Sequence, residues 1–285
     1  MRIIVDFNNL AVRHWCIPII ESETDKPNVQ LWKFNVIESI YSMICKHDNV
    51  TEVILAVDSK DNWRKLYWPR YKESRKLKRE KSKTNWRLFY NEFEKFTKEI
   101  AEYLPFKVIK VHGAEGDDIA SILATNGSEA VIVSTDEDYV QLSDKVRIYN
   151  PVKGDYIKCD DVEKFLQIKS LTGQAKDDIF NIKTPLNHPF GKRKPGFGEI
   201  SAKKVIESGL EQWLKKENLE ERYKFNRVLI DFSKIPNTIK NRVMKAYNQY
   251  KLANPDNIYK FFHNNNFRYF LENYNAVEEK LMKLY

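Results

Sequence analysis

Five short runs of Val, Ile, Leu and Phe mark the N-terminal half of the chain: Ile3 to Phe7, Val53 to Val57, Phe106 to Val111, Val131 to Ser134 and Val146 to Tyr149. They are nearly continuous in apolar character rather than alternating. That pattern suits parallel strands buried on both faces. Between them the apolar spacing changes to that of a helix. Leu31, Phe34, Ile37, Ile40, Tyr41 and Ile44 keep one helical face, and Phe89, Phe93, Phe96, Ile100 and Leu104 keep another. Strands alternating with helices predict an α/β domain around a mostly parallel sheet with flanking helices.

Past about residue 160 the strand signal fades. Helical patterns, Lys-rich turns and Pro/Gly punctuation replace it, and HPFGKRKPGFG, His188 to Gly198, reads as a loop. We therefore expect two parts, 1–160 α/β and 161–285 α-helical. The aromatic, amphipathic tail from Phe261 to Tyr285 is expected to pack on the second part.

Composition narrows the class. The 285 residues are 42% hydrophobic, enough for a sizeable core. No apolar run is long enough to span a bilayer, and the opening MRIIVDFNNL lacks the longer apolar segment of a signal peptide. Cys16, Cys45 and Cys159 are far apart, which suggests free thiols in a reducing cytoplasm and no zinc site. Cys16 and Cys45, among apolar neighbours, are expected in the core.

Charge is more informative. The chain carries a net +8, yet Asn62 to Arg87 holds eleven Lys or Arg against two Glu, so that segment is +9 and the remainder −1. Trp63, Tyr67, Trp68, Tyr71 and Trp86 are interleaved with those cations. A solvated charged helix has little use for so many aromatics, whereas a polyanion with stackable bases does. Arg64, Tyr71 and Arg79 are candidate nucleic-acid contacts within it.

Against this basic background the acids gather at strand ends. Asp6 follows Ile3-Ile4-Val5, Asp58 follows Ile54-Leu55-Ala56-Val57, and Asp136 lies just past Val131-Ile132-Val133. In an open parallel sheet the strand C-termini share one edge, where ligands bind. A further group, Glu115, Asp117 and Asp118, opens a helix-like stretch, and Asp138 follows Asp136. One such acid is commonly a cap or turn residue. Seven converging on one edge would repel one another unless protonated or bound to a cation. All-oxygen donors without His or Cys favour Mg²⁺, with Mn²⁺ as a substitute, over zinc. Acids for metal beside cations for phosphate suggest phosphodiester hydrolysis.

The stretches VDFNN, ILAVDS, YKESR, AEGDDIA and VSTDEDYVQL, in this order, resemble the flap endonuclease and 5′-nuclease superfamily. The later RYKFNRVLIDFSKIPNTI is similar to its ribonuclease H branch from T-even-type bacteriophages. The resemblance covers most of the chain. It implies two metal ions: Asp6, Asp58, Glu115, Asp117 and Asp118 would serve the first ion and its water shell, and Asp136 and Asp138 would reach toward the second. Lys72 and Arg75 would contact the scissile phosphate, with Asp136 central to catalysis, and the basic segment at about 62–87 would be a helical arch. The family's Gly-Asp-x-x-Asp-Asn run is here Gly173-Gln174-Ala175-Lys176-Asp177-Asp178, so Asp177 is kept as a metal ligand while Gln174 replaces an acid. A weaker second site and a higher Mg²⁺ requirement are expected. PGFGEISAKKVIESG, about 195–209, resembles the family's helix-turn-helix, with Gly196, Gly198, Lys203 and Lys204 as contacts to duplex phosphates.

The resemblance further implies a monomeric 5′→3′ nuclease of a phage-infected bacterial cytoplasm. It would act on RNA·DNA hybrid, duplex and flap 5′ ends and remove RNA primers. A single-stranded-DNA-binding protein and a sliding clamp would be its partners. Two alternatives stay open at this point. A PIN-type ribonuclease would use a similar acidic edge with fewer acids. A non-catalytic protein that binds branched DNA would have no use for the acids at all.

Overall fold

A computed structural model describes residues 1–16, 28–189 and 191–285, so Phe190 of the His188–Gly198 loop lies outside the described residues. A six-stranded sheet runs in the order β3-β2-β1-β4-β5-β6. Its strands are β1 Arg2–Asp6, β2 Glu52–Val57, β3 Phe106–Lys110, β4 Ala130–Val133, β5 Arg147–Asn150 and β6 Asp155–Ile157. The first five are mutually parallel, as the apolar runs predict, and β6 adds an antiparallel edge. β6 is a three-residue strand, DYI, too short to register as a hydrophobic run.

The strand order reverses beside β1, which pairs with both β2 and β4. That is the switch point where an open parallel sheet leaves a crevice at its C-terminal edge. In register, Ile3 aligns with Val53 and Val131, so the last residues of β1, β2 and β4 reach this edge together.

Fourteen α-helices are assigned among the described residues. In the first part they are α1 Phe7–Cys16, α2 Val29–Lys46, α3 Arg64–Tyr67, α4 Glu73–Glu80, α5 Trp86–Tyr103 and α6 Gly116–Ala124. In the second they are α7 Val162–Thr172, α8 Glu199–Glu207, α9 Leu210–Glu217, α10 Glu220–Ile230 and α11 Asn237–Asn248, then α12 Ile258–Asn264, α13 Arg268–Glu272 and α14 Tyr274–Met282. Caps mark several starts. Asn28 Oδ1 accepts from Leu31 N–H and Asn85 Oδ1 from Leu88 N–H, each at 3.0 Å.

Alternation along the strands divides the core into two layers. Ile3, Val5, Val53 and Leu55 face α1, α2 and α5. Ile4, Ile54 and Ile132 face α6 and, through Ile239 and Val243, α11. The aromatic tail departs from expectation, because α12 to α14 close over the first layer rather than over the second part. Phe261, Phe262, Phe267 and Phe270 join the cluster that holds Trp32, Phe89 and Phe96, and Phe262 stacks on Phe270 with ring centroids 4.7 Å apart. Each buried Phe contributes about 1.5–3 kcal/mol. The aromatic faces of α2 and α5 supply the surface that the tail covers. The hydrophobic core therefore crosses the boundary near residue 160.

Helices α7 to α10 build smaller clusters of their own, and Trp68 and Tyr71 of the basic segment insert into one of them. No helix among the described residues is long and apolar enough to cross a membrane. Cys16 and Cys45 are exposed rather than in the core.

Candidate metal and phosphate site

The strand ends bring the acids together. Asp6 ends β1, Asp58 follows β2, and Asp136 lies three residues past β4. Each is held by hydrogen bonds, some to neighbours in sequence and some to residues far along the chain. Asp6 accepts from the Asn9 N–H at 3.1 Å and from the Ser134 hydroxyl at 3.0 Å. Asp58 accepts from the Gly116 N–H at 2.7 Å, and its own N–H donates to Asn8 Oδ1 at 2.8 Å. Asp136 accepts from the Asp138 N–H at 2.9 Å, in the manner of a helix cap. Asn9 Oδ1 accepts from the Thr135 hydroxyl at 2.8 Å and ties the β1 and β4 ends together. A ligand oxygen from each of Asp117, Asp136 and Asp138 lies within 4.8 Å of the other two.

The acids at the start of α6 separate by function. Asp117 faces the cluster and accepts from the Tyr139 hydroxyl at 3.2 Å. Glu115 and Asp118 share a face, as their spacing predicts, and form a reciprocal capping box. That face meets Arg64, not a solvent-filled site. Asp118 is fully buried. Its Oδ2 accepts from Arg64 Nη1 at 3.1 Å, from Trp63 Nε1 at 3.0 Å and from the Glu115 N–H at 3.0 Å, and its Oδ1 lies 2.9 Å from Arg64 Nη2 as an ion pair. With its oxygens so engaged, Asp118 positions α6 instead of offering a free donor.

Arg64 and Tyr71, expected on the nucleic-acid face, are likewise inside at 2% and 3% exposure. Arg64 also donates to Glu115 at 3.1 Å and to the Leu229 carbonyl at 2.8 Å, and Tyr71 donates to Glu115 at 2.9 Å. Trp63 and Trp68 are buried too. The aromatics of the basic segment thus divide: these fix its base into the core, and Trp86 lines the site.

Lys72 and Arg75 do reach the site. Lys72 pairs with Glu115 and lies 3.8 Å from Asp177, and Arg75 pairs with Asp177 at 2.5 Å. Lys72 sits in the left-handed region at φ +57°, strained for a lysine, and its N–H donates to the Asp177 carbonyl at 3.0 Å. Such strain is sustained only where the surroundings over-determine it. Asp177 faces these cations, while Asp178 turns away and accepts from the Ser74 N–H at 2.7 Å, anchoring α4.

Two cavities open on this edge and share Asn9, Thr135 and Asp136. The first, about 350 Å³, is lined by Asp6, Asp58, Asp117, Lys72, Arg75 and Arg79, with Trp86 and Tyr90 as an aromatic wall. The second, about 400 Å³, is lined by Asp136, Asp138, Gln174 and Lys176. Asn8, Asn9, Tyr90, Ser134, Thr135 and Lys176 are site residues that the sequence does not single out, and Trp86, expected only as one of five interleaved aromatics, lines the same cavity as Tyr90. The polar pair directly after Asp6 was the signal for Asn8 and Asn9. The helical phase of α5 was the signal for Trp86 and Tyr90, which fall on one side of it.

Electrostatics differs between the cavities. Burial, then Asp58, pushes Asp6 up to about 7. Burial, then Glu115, raises Asp58, and burial, then Asp6 and Asp136, raises Asp117 well above the usual carboxylate range. Burial would also raise Glu115, but Lys72 and Arg64 hold it down at about 2. Burial would raise Asp136 too, but Lys176, the Asp138 N–H and Lys72 together lower it, whereas burial, then Asp136, keeps Asp138 raised despite Lys176. The ion pairs of the edge go to Glu115, Asp118, Asp177, Asp136 and Asp138. Among the described residues none goes to Asp6, Asp58 or Asp117. An all-oxygen set, buried at Asp6 and half-buried at Asp58 and Asp117, without ion-pair partners among the described residues fits a hard divalent cation.

The remaining sequence-predicted contacts lie in the second part. Gly198 precedes α8, and a side chain at Gly196 or Gly198 would meet open space, so these glycines leave the backbone there accessible. Lys203 pairs with Glu199 at 2.7 Å on the exposed face, and Lys204 is exposed beside it. The turn between α8 and α9 is made at Gly209, with φ +104°. These residues lie on and before the helix pair α8 and α9, and none of them lines either cavity.

Comparison with known proteins gives the same picture. Residues 1–167 match the family of 5′-3′ exonuclease N-terminal, resolvase-like domains, and residues 160–277 match the T4 RNase H C-terminal domain. Ribonuclease H of Enterobacteria phage T4 is 28% identical over 277 residues, covering 91% of this chain and 90% of that protein. A bacteriophage T5 flap endonuclease in a pseudo-enzyme-product complex with DNA and metal ions shares the fold, with a TM-score of 0.60 and 19% identity over 98% of this chain and 99% of that one. The T5 5′-exonuclease with bound zinc ions gives a TM-score of 0.60 and 20% identity over 93% of this chain and 98% of that one.

Proposed function

Because the chain belongs to the 5′-3′ exonuclease family and is a metal-dependent 5′→3′ nuclease, we propose that it binds two Mg²⁺ ions and cleaves phosphodiesters near the 5′ ends of RNA·DNA hybrids, duplexes and flaps. The observation that carries this reading is the meeting of Asp6, Asp58, Asp117 and Asp136 with Lys72 and Arg75 around one cavity. Asp6, Asp58 and Asp117 would hold the first ion, and Asp136 and Asp138, with Asp177 nearby, would serve the second. Bound ions would lower the pKa of a water nucleophile and stabilise the leaving oxygen.

The protein's own groups supply position and charge. Lys72 and Arg75 are fixed by Glu115 and Asp177, so their cationic ends are held ready for a phosphate before it arrives. Asn9 and Thr135 keep the β1 and β4 ends in register. Trp86 and Tyr90, with Arg79 5.4 and 5.3 Å from their ring centroids, offer a face on which a terminal base can stack. Gly196, Gly198, Lys203 and Lys204 would hold the duplex behind the cleaved end by its phosphates.

By family resemblance we also assign the protein as a monomer of the host cytoplasm that removes RNA primers beside a single-stranded-DNA-binding protein and a sliding clamp. The test of the central reading is a 5′-labelled RNA·DNA hybrid and a circular single-stranded RNA, each with and without Mg²⁺. Short 5′ products from the hybrid alone, only with metal, are expected. Cleavage of the circle, which has no 5′ end, would refute the assignment.

A further inference from the structure

We propose that Lys176 is the resident second cation of this centre: its ammonium bridges Asp136 and Asp138, and a divalent ion enters that compartment only by displacing it. The inference rests on the metal-centre reading above and concerns one of its two halves.

The geometry is specific. Lys176 Nζ lies 2.5 Å from Asp136 Oδ1 and 3.0 Å from Asp138 Oδ2. Gln174 Nε2 donates to the other oxygen of Asp138, Oδ1, at 2.6 Å. One short turn therefore engages both oxygens of Asp138 and one of Asp136. Two carboxylates carry −2 and an ammonium returns +1, so the compartment keeps a residual pull on a cation while three of its four carboxylate oxygens are already engaged.

Gln174 belongs to the same device. A carboxylate at 174 would add another acceptor to two carboxylates and draw in a divalent ion. An amide adds a donor, which suits a site already supplied with a cation.

The turn that carries Lys176 is rigid. Gly173 sits at φ +69°, and a side chain there would collide with the Ile179 carbonyl oxygen. Gln174 and Ile179 exchange backbone hydrogen bonds of 2.8 and 3.1 Å, Asp177 is paired with Arg75, and Trp68 Nε1 donates to the Asp178 carbonyl at 2.9 Å. With its backbone clamped on both sides, Lys176 is aimed between the two acids, although its side chain is 43% exposed and free to swing out.

The test is Mn²⁺ binding to the whole protein without nucleic acid, by calorimetry, for wild type, Lys176→Met and Lys176→Arg. Wild type should show one tight and one weak class of site. Lys176→Met should tighten the weak class by about tenfold, because the competing ammonium is gone, and leave the tight class unmoved. Lys176→Arg, which keeps the charge, should stay near wild type. Unchanged affinities in Lys176→Met, or loss of the weak class, would overturn the proposal. Absence of Mn²⁺ binding in every variant would instead sink the metal-centre reading. Thermal melts verify folding, and Lys176→Gln replaces the Met variant should that one unfold.

Discussion

In the compartment floored by Asp6, Asp58 and Asp117 the acids make no ion pair among the described residues, whereas across Asp136 the compartment of Asp136 and Asp138 carries its own lysine. The same strand edge thus meets the same electrostatic problem in two ways. In the first, carboxylates are stacked at strand ends and a helix start where backbone N–H groups partly offset their charge, and they remain strained against one another until a cation arrives. In the second, a loop brings the cation with the chain. The contrast teaches that an acid cluster is no uniform metal trap: what each acid already touches decides how strongly it calls for an ion.

The most severe way to test the contrast is Asp117→Asn. Cleavage should fall by at least about a thousandfold, while the metal-free protein should melt at a higher temperature because a repelling charge is gone. Asp138→Asn should lower cleavage without that gain, since it strips Lys176 of a partner. Paired activity assays and melts check both halves, and a lower melting temperature for Asp117→Asn would erase the distinction between compartments.

Next in size is the buried pair behind the first compartment. Arg64→Met should destabilise the fold by about 3–5 kcal/mol, because Asp118 would be left buried without a cation and Glu115 would keep only Lys72. Urea unfolding measures it, and a loss under about 1 kcal/mol would return Arg64 to the surface role that its charge run suggested.

Gly173→Ala should cost about 1–3 kcal/mol, from positive φ and the clash with the Ile179 carbonyl, with second-class Mn²⁺ affinity altered and the first retained. An unaltered melt and titration would show the turn to be plastic.

The pH dependence follows from the sign of the first-compartment shifts. Asp6 is raised to about 7 in the fold by burial and Asp58, above its unfolded value of about 4. Its contribution is therefore present below pH 4 and lost as pH rises to about 7. In chelator, the melting temperature should fall across that window by at least about 5 °C. Mg²⁺ should restore more stability at pH 8 than at pH 5. A Mg²⁺ effect independent of pH would contradict the assignment of uncompensated charge to this compartment.

The smallest expected effect lies far from both compartments. Lys203→Ala with Lys204→Ala should weaken duplex binding alike for all sequences. It should also lower the slope of log affinity against log salt by about 0.9 for each phosphate no longer neutralised. Binding isotherms at several salt concentrations give it directly.

How much of this could be read from the sequence depends on what each feature rests on. The five parallel strands were legible because burial on both faces leaves continuous Val and Ile. The convergence of Asp6, Asp58 and Asp136 followed because parallel strands must end on one edge. Which of Asp117 and Asp118 faces the site was not legible. Adjacent helical residues point about 100° apart, and only the location of Arg64 decides between them. Arg64 itself was hidden within a charge run, where one inserted guanidinium looks like the solvated cations beside it. Gln174 stood out as a missing acid, but Lys176 did not, because its role depends on the φ of Gly173 and the closure onto Ile179. The tail was misplaced for a related reason: sequence gives its apolar face, and only packing shows that α2 and α5 need cover.

The most direct measurement is single-turnover cleavage of a 5′-labelled flap by wild type and Asp136→Asn, with Mg²⁺ and with chelator. The account predicts rapid release of 5′ products by wild type with Mg²⁺, none in chelator, and binding without cleavage by Asp136→Asn. Cleavage that survives chelation, or a wild type that binds the flap and never cuts at any Mg²⁺ or Mn²⁺ level, would contradict it.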